Sequence, residues 1–426
     1  MKQFFSKYSL FLSYFILILF LILVVFFTST YTWLCIISLF VLCMFSVSRL
    51  FPLFTFPNVT GKFAVGTVLY HLKDENRRET HTQAESMREL LVQIWYPATP
   101  DTKKTKAAYM PEIIKSVQHS LKESKYAPLG LVLDKFFPEH SQAVENAHIA
   151  PDEHSYPVII FSHGLGGICN FSTVLVEELA SHGYIVIGVN HTYSSYVTVF
   201  PDGRVIKRSP ELNMSVMQLL KENSPETFAK LEQEFNEWIL DVQFVLDMLE
   251  QSNTVFLDPE LRARIDLSRL GMYGHSFGGA LAAELCRIDS RCKAGISLDG
   301  AVFDKTLEGE FKKPFLFILG VLLSEGVYPA EKSLELFNMT KSDWDKAIQK
   351  YKDGISLLCT KIGTDGHKFT IKNAGHFAFT DISLLKPFWT YLLSFDIGSA
   401  NTEIIDTTNK QVIQFFDKYL KTTQKN

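Results

Sequence analysis

The chain has 426 residues, 47% hydrophobic and 21% charged, with a formal net charge of −4. This length suits one large catalytic domain with a smaller extra segment better than three domains. The mild acidic balance gives no sign of a polyanion partner, since nucleic-acid binders usually carry a basic excess, so none is expected.

Residues 9–27 carry no charge. At the helical rise they would extend about 28 Å, close to the thickness of a bilayer core. A shorter apolar run spans Trp33 to Val47; Lys2 and Lys7 precede the pair and Arg49 follows it. Three readings fit: a two-helix hairpin with a cytoplasmic catalytic domain, a single signal-anchor with that domain outside, or a cleaved signal peptide, which lacks an A-x-A-like site. The expectation is a membrane segment at 1–56, with one or two N-terminal transmembrane helices, a membrane partner and localisation, and an unassigned side. The catalytic domain is expected at 57–426.

Residues 51–63, with Pro52, Pro57 and Gly61, read as a linker. Strand-like apolar runs follow at Phe63–Tyr70, Leu90–Tyr96, Pro157–Phe161, Tyr184–Val189, Leu270–Tyr273, Ala294–Leu298, Pro314–Leu319 and Lys368–Ile371. Helical patterns lie between most of them, at Ser172–Ser181, Glu211–Leu249, Phe277–Arg287, Ala330–Tyr351 and Leu384–Leu393. Alternation of this kind predicts an α/β fold, a mostly parallel central sheet with helices on both faces. The first two runs lack an intervening helix and are expected to pair antiparallel at one edge. Pro201-Asp202-Gly203 between apolar alternations signals a hairpin. Two long insertions, Thr102–Ser155 and Leu323–Gly366, read equally as lids or as peripheral helices. Six cysteines, at 35, 43, 169, 286, 292 and 359, show no CxxC pair and no zinc spacing. Those outside the apolar runs read as free buried thiols, and neither a metal nor a cofactor is expected.

Gly274-His275-Ser276-Phe277-Gly278 is a G-x-S-x-G pentapeptide between a short apolar strand and a helix start. Strand, sharp turn and helix is the setting of a nucleophile elbow, and it makes Ser276 the candidate nucleophile. A serine hydroxyl needs a base, and the order in this fold is Ser, acid, His. Two histidines follow Ser276. His367 opens a strand, whereas His376 lies in the loop after it and is the better base. Position alone leaves the acid open between Asp299, at the end of one strand, and Glu325, after the next, with Asp365 a third candidate. Upstream, Phe161-Ser162-His163-Gly164-Leu165-Gly166-Gly167 follows a strand. Its Leu165 amide and that of Phe277 are the candidate oxyanion donors. A dinucleotide reading of this loop fails because Cys169 stands where the last glycine of G-x-G-x-x-G belongs. His163 reads as structural, His191 as a loop histidine in preference to one lining the pocket, and His275 as packing the elbow.

Four blocks, Met87–Pro97, Phe161–Asn190, Asp266–Gly300 and Phe369–Phe379, give the chain a resemblance to the platelet-activating factor acetylhydrolase family of the plasma, lipoprotein-associated type. The resemblance implies an α/β-hydrolase fold. It places the nucleophile on Ser276, the acid on Asp299, the base on His376 and the oxyanion donors on Leu165 and Phe277. It further implies metal-independent cleavage of short or oxidised sn-2 acyl chains from phospholipids, so a lipid or small ester substrate is expected. The loop at Gly167-Ile168-Cys169-Asn170, the stretch Asn190-His191-Thr192-Tyr193 and the 323–366 insertion depart from the animal enzymes. An acyltransferase using the same acyl-enzyme and a catalytically silent, membrane-tethered binding protein are the competing readings.

Overall fold

In the computed structural model, the structure describes residues 39, 54–82, 85–100, 104–122, 130, 134, 137–212, 225–251, 257–321, 340–385 and 402–421. The chain divides into two compact units, residues 1–55 with 117–139, and residues 56–116 with 140–426. The second unit carries a ten-stranded sheet, in the order β12-β11-β10-β9-β5-β6-β2-β1-β4-β3. Its strands are β1 (Ala64–Arg78), β2 (Met87–Ala98), β3 (Lys106–Ala108), β4 (His140–Glu145), β5 (Tyr156–Ser162), β6 (Ile185–Asn190), β9 (Ile265–His275), β10 (Cys292–Leu298), β11 (Phe315–Gly320) and β12 (Gly366–Ile371). A separate hairpin joins β7 (Val197–Val199) to β8 (Val205–Lys207), with Thr198 opposite Ile206, as the Pro-Asp-Gly turn predicts.

The central strands are continuously apolar because both sheet faces are covered. Successive residues point to opposite faces. In β5, Val158 and Ile160 join one core cluster, while Ile159 and Phe161 join the other. The first cluster is closed by helices α2 (Pro225–Glu250) and α3 (Phe277–Ile288), the second by α1 (Thr173–Ser181) and α5 (Thr402–Phe416). Helix α4 (Lys341–Ile362) occupies the later insertion and buries Trp344, Ile348, Ile355 and Leu358. Its first turn is fixed by a capping box between Thr340 and Asp343.

Several expectations need correction. β1 and β2 do pair antiparallel, but not at the edge: the first insertion supplies β4 and β3 outside β1. Cys286 and Cys292 form a disulfide, leaving Cys169 and Cys359 as the free thiols among the described residues. The transmembrane part of the expected fold class, and with it the membrane partner and membrane localisation, is not upheld. Among the described residues no helix is long and apolar enough to cross a membrane. The two longest described helices, α2 and α4, intersperse charged with apolar residues as surface helices do. The runs 9–27 and 33–47 lie outside the described residues apart from Leu39. Length and hydropathy, on which the expectation rested, admit a span without requiring one.

A buried ion network ties β2 to α2. Arg88, fully buried, donates from Nε and Nη2 to the two Asp241 oxygens at 3.0 and 2.7 Å, and from Nη1 to Glu79 Oε2 at 2.9 Å and to the Thr192 carbonyl at 2.8 Å. Burial alone would raise the Asp241 carboxyl; Arg88 and His191 overturn that and hold it well below the ordinary carboxylate range. Removing one member of such a network strands the other charge, at a cost of about 3–5 kcal/mol. Asp241→Ala is therefore expected to lower the stability of the folded chain by that amount in urea unfolding. A loss under about 1 kcal/mol, the scale of a surface pair, would contradict a structural role for the network.

Candidate active site

The register of the parallel strands assembles the site. Leu298 lies opposite His275, and Ile318 opposite Leu298. The next residues, Ser276 and Asp299, therefore leave adjacent strands at the same, carboxyl-terminal edge of the sheet, where open α/β sheets hold their sites. The Ser276 amide donates to the Leu298 carbonyl at 2.9 Å, and the Asp299 amide to that of Ile318 at 2.8 Å.

Ser276 has φ 56°, and Asp299 φ 51°, both left-handed. For the serine this is the strained turn that lifts its hydroxyl off the sheet. The turn is possible because its flanks are bare: a Cβ at Gly274 would overlap the Gly278 backbone, and one at Gly278 the Ser162 carbonyl. Helix α3 starts at once, with Phe277 as its first residue.

His376, in the loop after β12, bridges the two strand ends. Its Nε2 lies 2.9 Å from Ser276 Oγ and its Nδ1 lies 2.7 Å from Asp299 Oδ2. Asp299 is fully buried, and its other oxygen accepts from the Gly320 amide at 2.8 Å. A carboxylate can only accept, so Nδ1 carries the proton and the Nε2 lone pair faces the serine hydroxyl. This is the geometry of a base held in the tautomer that accepts a serine proton.

The other candidates are placed elsewhere. His367 pairs with Leu316 at the opposite, amino-terminal end of β12. Asp365 accepts from the Tyr419 hydroxyl at 2.6 Å. Glu325 lies outside the described residues.

The loop after β5 runs beside the elbow: a Cβ at Gly164 would stand 3.2 Å from that of Ser276. His163 Nδ1 donates to the Gly164 carbonyl at 2.7 Å, and the Gly167 amide donates to the same oxygen at 2.8 Å. Burial, then His191, pushes the His163 imidazole down to about 3, so it stays neutral, and its Nε2 accepts from Ser195 Oγ at 2.8 Å. Among the described residues the amides of Leu165 and Phe277 have no acceptor, which leaves both N–H groups available. Phe277 is locked by edge contacts with Phe235, Trp238 and Phe303.

Two histidines near the site do more than their sequence readings required. His191 is a loop residue, as expected, but a fully buried one, stacked on Trp238 at 3.8 Å, with Nδ1 2.9 Å from Asp241. His275 does more than pack. Its Nε2 donates to the His376 carbonyl at 2.8 Å, and burial followed by His376 pushes its pKa down to about 3, so the ring stays neutral at any working pH. Its place beside Ser276 was the only signal in the sequence.

A serine at a strand-to-helix elbow of a mostly parallel sheet, with an imidazole on its hydroxyl, defines an α/β-hydrolase of the serine-esterase type. Residues 50–426 match the family model described as platelet-activating factor acetylhydrolase, isoform II. The chain belongs to that family. It is 24% identical over 358 residues to a platelet-activating factor acetylhydrolase of Gallus gallus, covering 77% of this chain and 78% of the relative. It is 31% identical over 186 residues to one from Bos taurus, covering 41% of this chain and 42% of the relative. A solved ferulic acid esterase from Streptomyces cinnamoneus shares the fold at TM-score 0.60 and 24% identity, over 86% of this chain and 93% of its own.

Proposed function

We propose that this esterase hydrolyses short-chain or oxidised acyl esters of phospholipids, of the 1-alkyl-2-acetylglycerophosphocholine type, through an acyl-enzyme on Ser276 and without a metal ion. Residues 57–426 form its catalytic domain. His376 takes the hydroxyl proton as Ser276 Oγ attacks the ester carbonyl. Asp299 fixes the imidazole and stabilises its cation. The amides of Leu165 and Phe277 hold the oxyanion. His376 returns the proton to the departing alcohol, and the same groups then activate water to release the acid.

The observation that carries this reading is the hydrogen-bonded line from Ser276 through His376 to Asp299. Membership in the acetylhydrolase family supports the substrate class. Apolar Leu165, Val302 and Phe303, half-buried against the core that includes Phe277, offer a wall for a short acyl chain.

The test is hydrolysis, by the full chain, of p-nitrophenyl esters from acetyl to long acyl and of 1-alkyl-2-acetylglycerophosphocholine, with and without EDTA. Activity on the phospholipid, falling with acyl length and indifferent to EDTA, is expected. A preference for long acyl chains would overturn the short-chain assignment, and inhibition by EDTA the metal-independent one.

A further inference from the structure

Arg208 follows β8, and its backbone ties the hairpin to the loop that carries Leu165. Its amide donates to the Tyr196 carbonyl at 3.3 Å, the Tyr196 amide to that of Gly167 at 3.0 Å, and the Gly166 amide to that of Ser194 at 3.0 Å. The guanidinium lies on the bare backbone of Gly166, which has φ 74°; a Cβ there would come within 2.6 Å of Arg208 Nη1. Two residues upstream, Gly164 abuts Ser276. The guanidinium and the nucleophile thus flank one short loop.

Among the described residues this cation has no carboxylate hydrogen-bonded to its Nε. Arg77, Arg88, Arg269, Arg287 and Arg291 are each paired with carboxylates. Arg208 Nε is buried and has no hydrogen-bond partner among the described residues. The carboxylate whose charge reaches it, Glu234, is already engaged by His81, the Ser194 hydroxyl and Trp238 Nε1. Burial pushes the guanidinium pKa down, yet arginine keeps its charge at any working pH. A half-buried cation with no partner among the described residues is costly, and a bound anion would offset that cost with charge-assisted hydrogen bonds. The planar fork of donors matches the oxygens of a phosphate.

We propose that Arg208 is a specificity residue of this esterase, receiving the phosphate of a substrate whose acyl carbonyl lies at Ser276. This rests on the substrate class proposed above, and the experiment separates the two. Wild type, Arg208→Gln and Arg208→Lys are compared on p-nitrophenyl acetate, which carries no anion, and on monomeric 1-alkyl-2-acetylglycerophosphocholine. Arg208→Gln is expected to lose about 10- to 100-fold more kcat/KM on the phosphate ester than on the neutral one, mostly through KM, with Arg208→Lys between. Equal losses on both esters, or none on the phosphate ester, would overturn the proposal.

In a second arm, glycerophosphocholine and inorganic phosphate compete against p-nitrophenyl acetate. Competition by glycerophosphocholine that weakens about tenfold in Arg208→Gln supports the proposal. Arg208-dependent competition by inorganic phosphate alone would reassign the residue to a free-phosphate site and overturn the substrate role. If wild type cleaves only the neutral ester, the substrate class fails, and the glycerophosphocholine arm still decides Arg208.

Discussion

Ser276→Ala is expected to lower kcat on p-nitrophenyl acetate by about 10⁴-fold or more. Alanine removes the attacking oxygen and little else: the elbow glycines stay bare and the Asp299–His376 hydrogen bond does not depend on the hydroxyl. Whatever rate remains would come from the oxyanion donors and from substrate binding. Steady-state kinetics on purified wild type and variant reads this directly. A variant within about tenfold of wild type, well short of the loss of a nucleophile, would remove Ser276 from that role.

Asp299→Asn is expected to cost about 10⁴-fold in kcat with the fold intact. Asparagine tolerates the left-handed backbone, and its amide oxygen can still accept from Gly320. Its amide nitrogen, however, would face His376 Nδ1 and demand an acceptor there. That moves the proton to Nε2, where it opposes the serine hydroxyl instead of receiving its proton. The variant therefore tests the tautomer separately from the packing. Near-wild-type activity in Asp299→Asn, together with loss in Glu325→Gln, would place the acid on the residue after the next strand.

The parts of this arrangement legible in the sequence are those written locally. The elbow needs two bare glycines between an apolar strand and a helix, and Gly274 and Gly278 announce it. Parallel strands register their ends, so a residue just past a strand, such as Asp299 or His376, could be referred to the same edge as Ser276. Chain position could not choose between two strand-end carboxylates, because the choice depends on which one faces the imidazole. Nor could it show the Arg88–Asp241 pair, whose members stand 153 residues apart with no shared local pattern. The edge strand β3 is only three residues long, and β4 pairs with β1 across only Gly66 and Thr67, too little for a periodic signal. The apolar N-terminal runs show a related limit of the sequence. Hydropathy counts what a segment lacks, namely charge, and so admits a span without requiring one.

The central claim is an acyl-enzyme on Ser276, and the most direct measurement is mass spectrometry of the chain after reaction with a fluorophosphonate, which traps an activated serine. One adduct per chain is predicted, on the peptide containing Ser276, forming in step with loss of esterase activity and greatly slowed in His376→Ala. Full esterase activity without an adduct, or an adduct on another serine that tracks inactivation, would contradict the account.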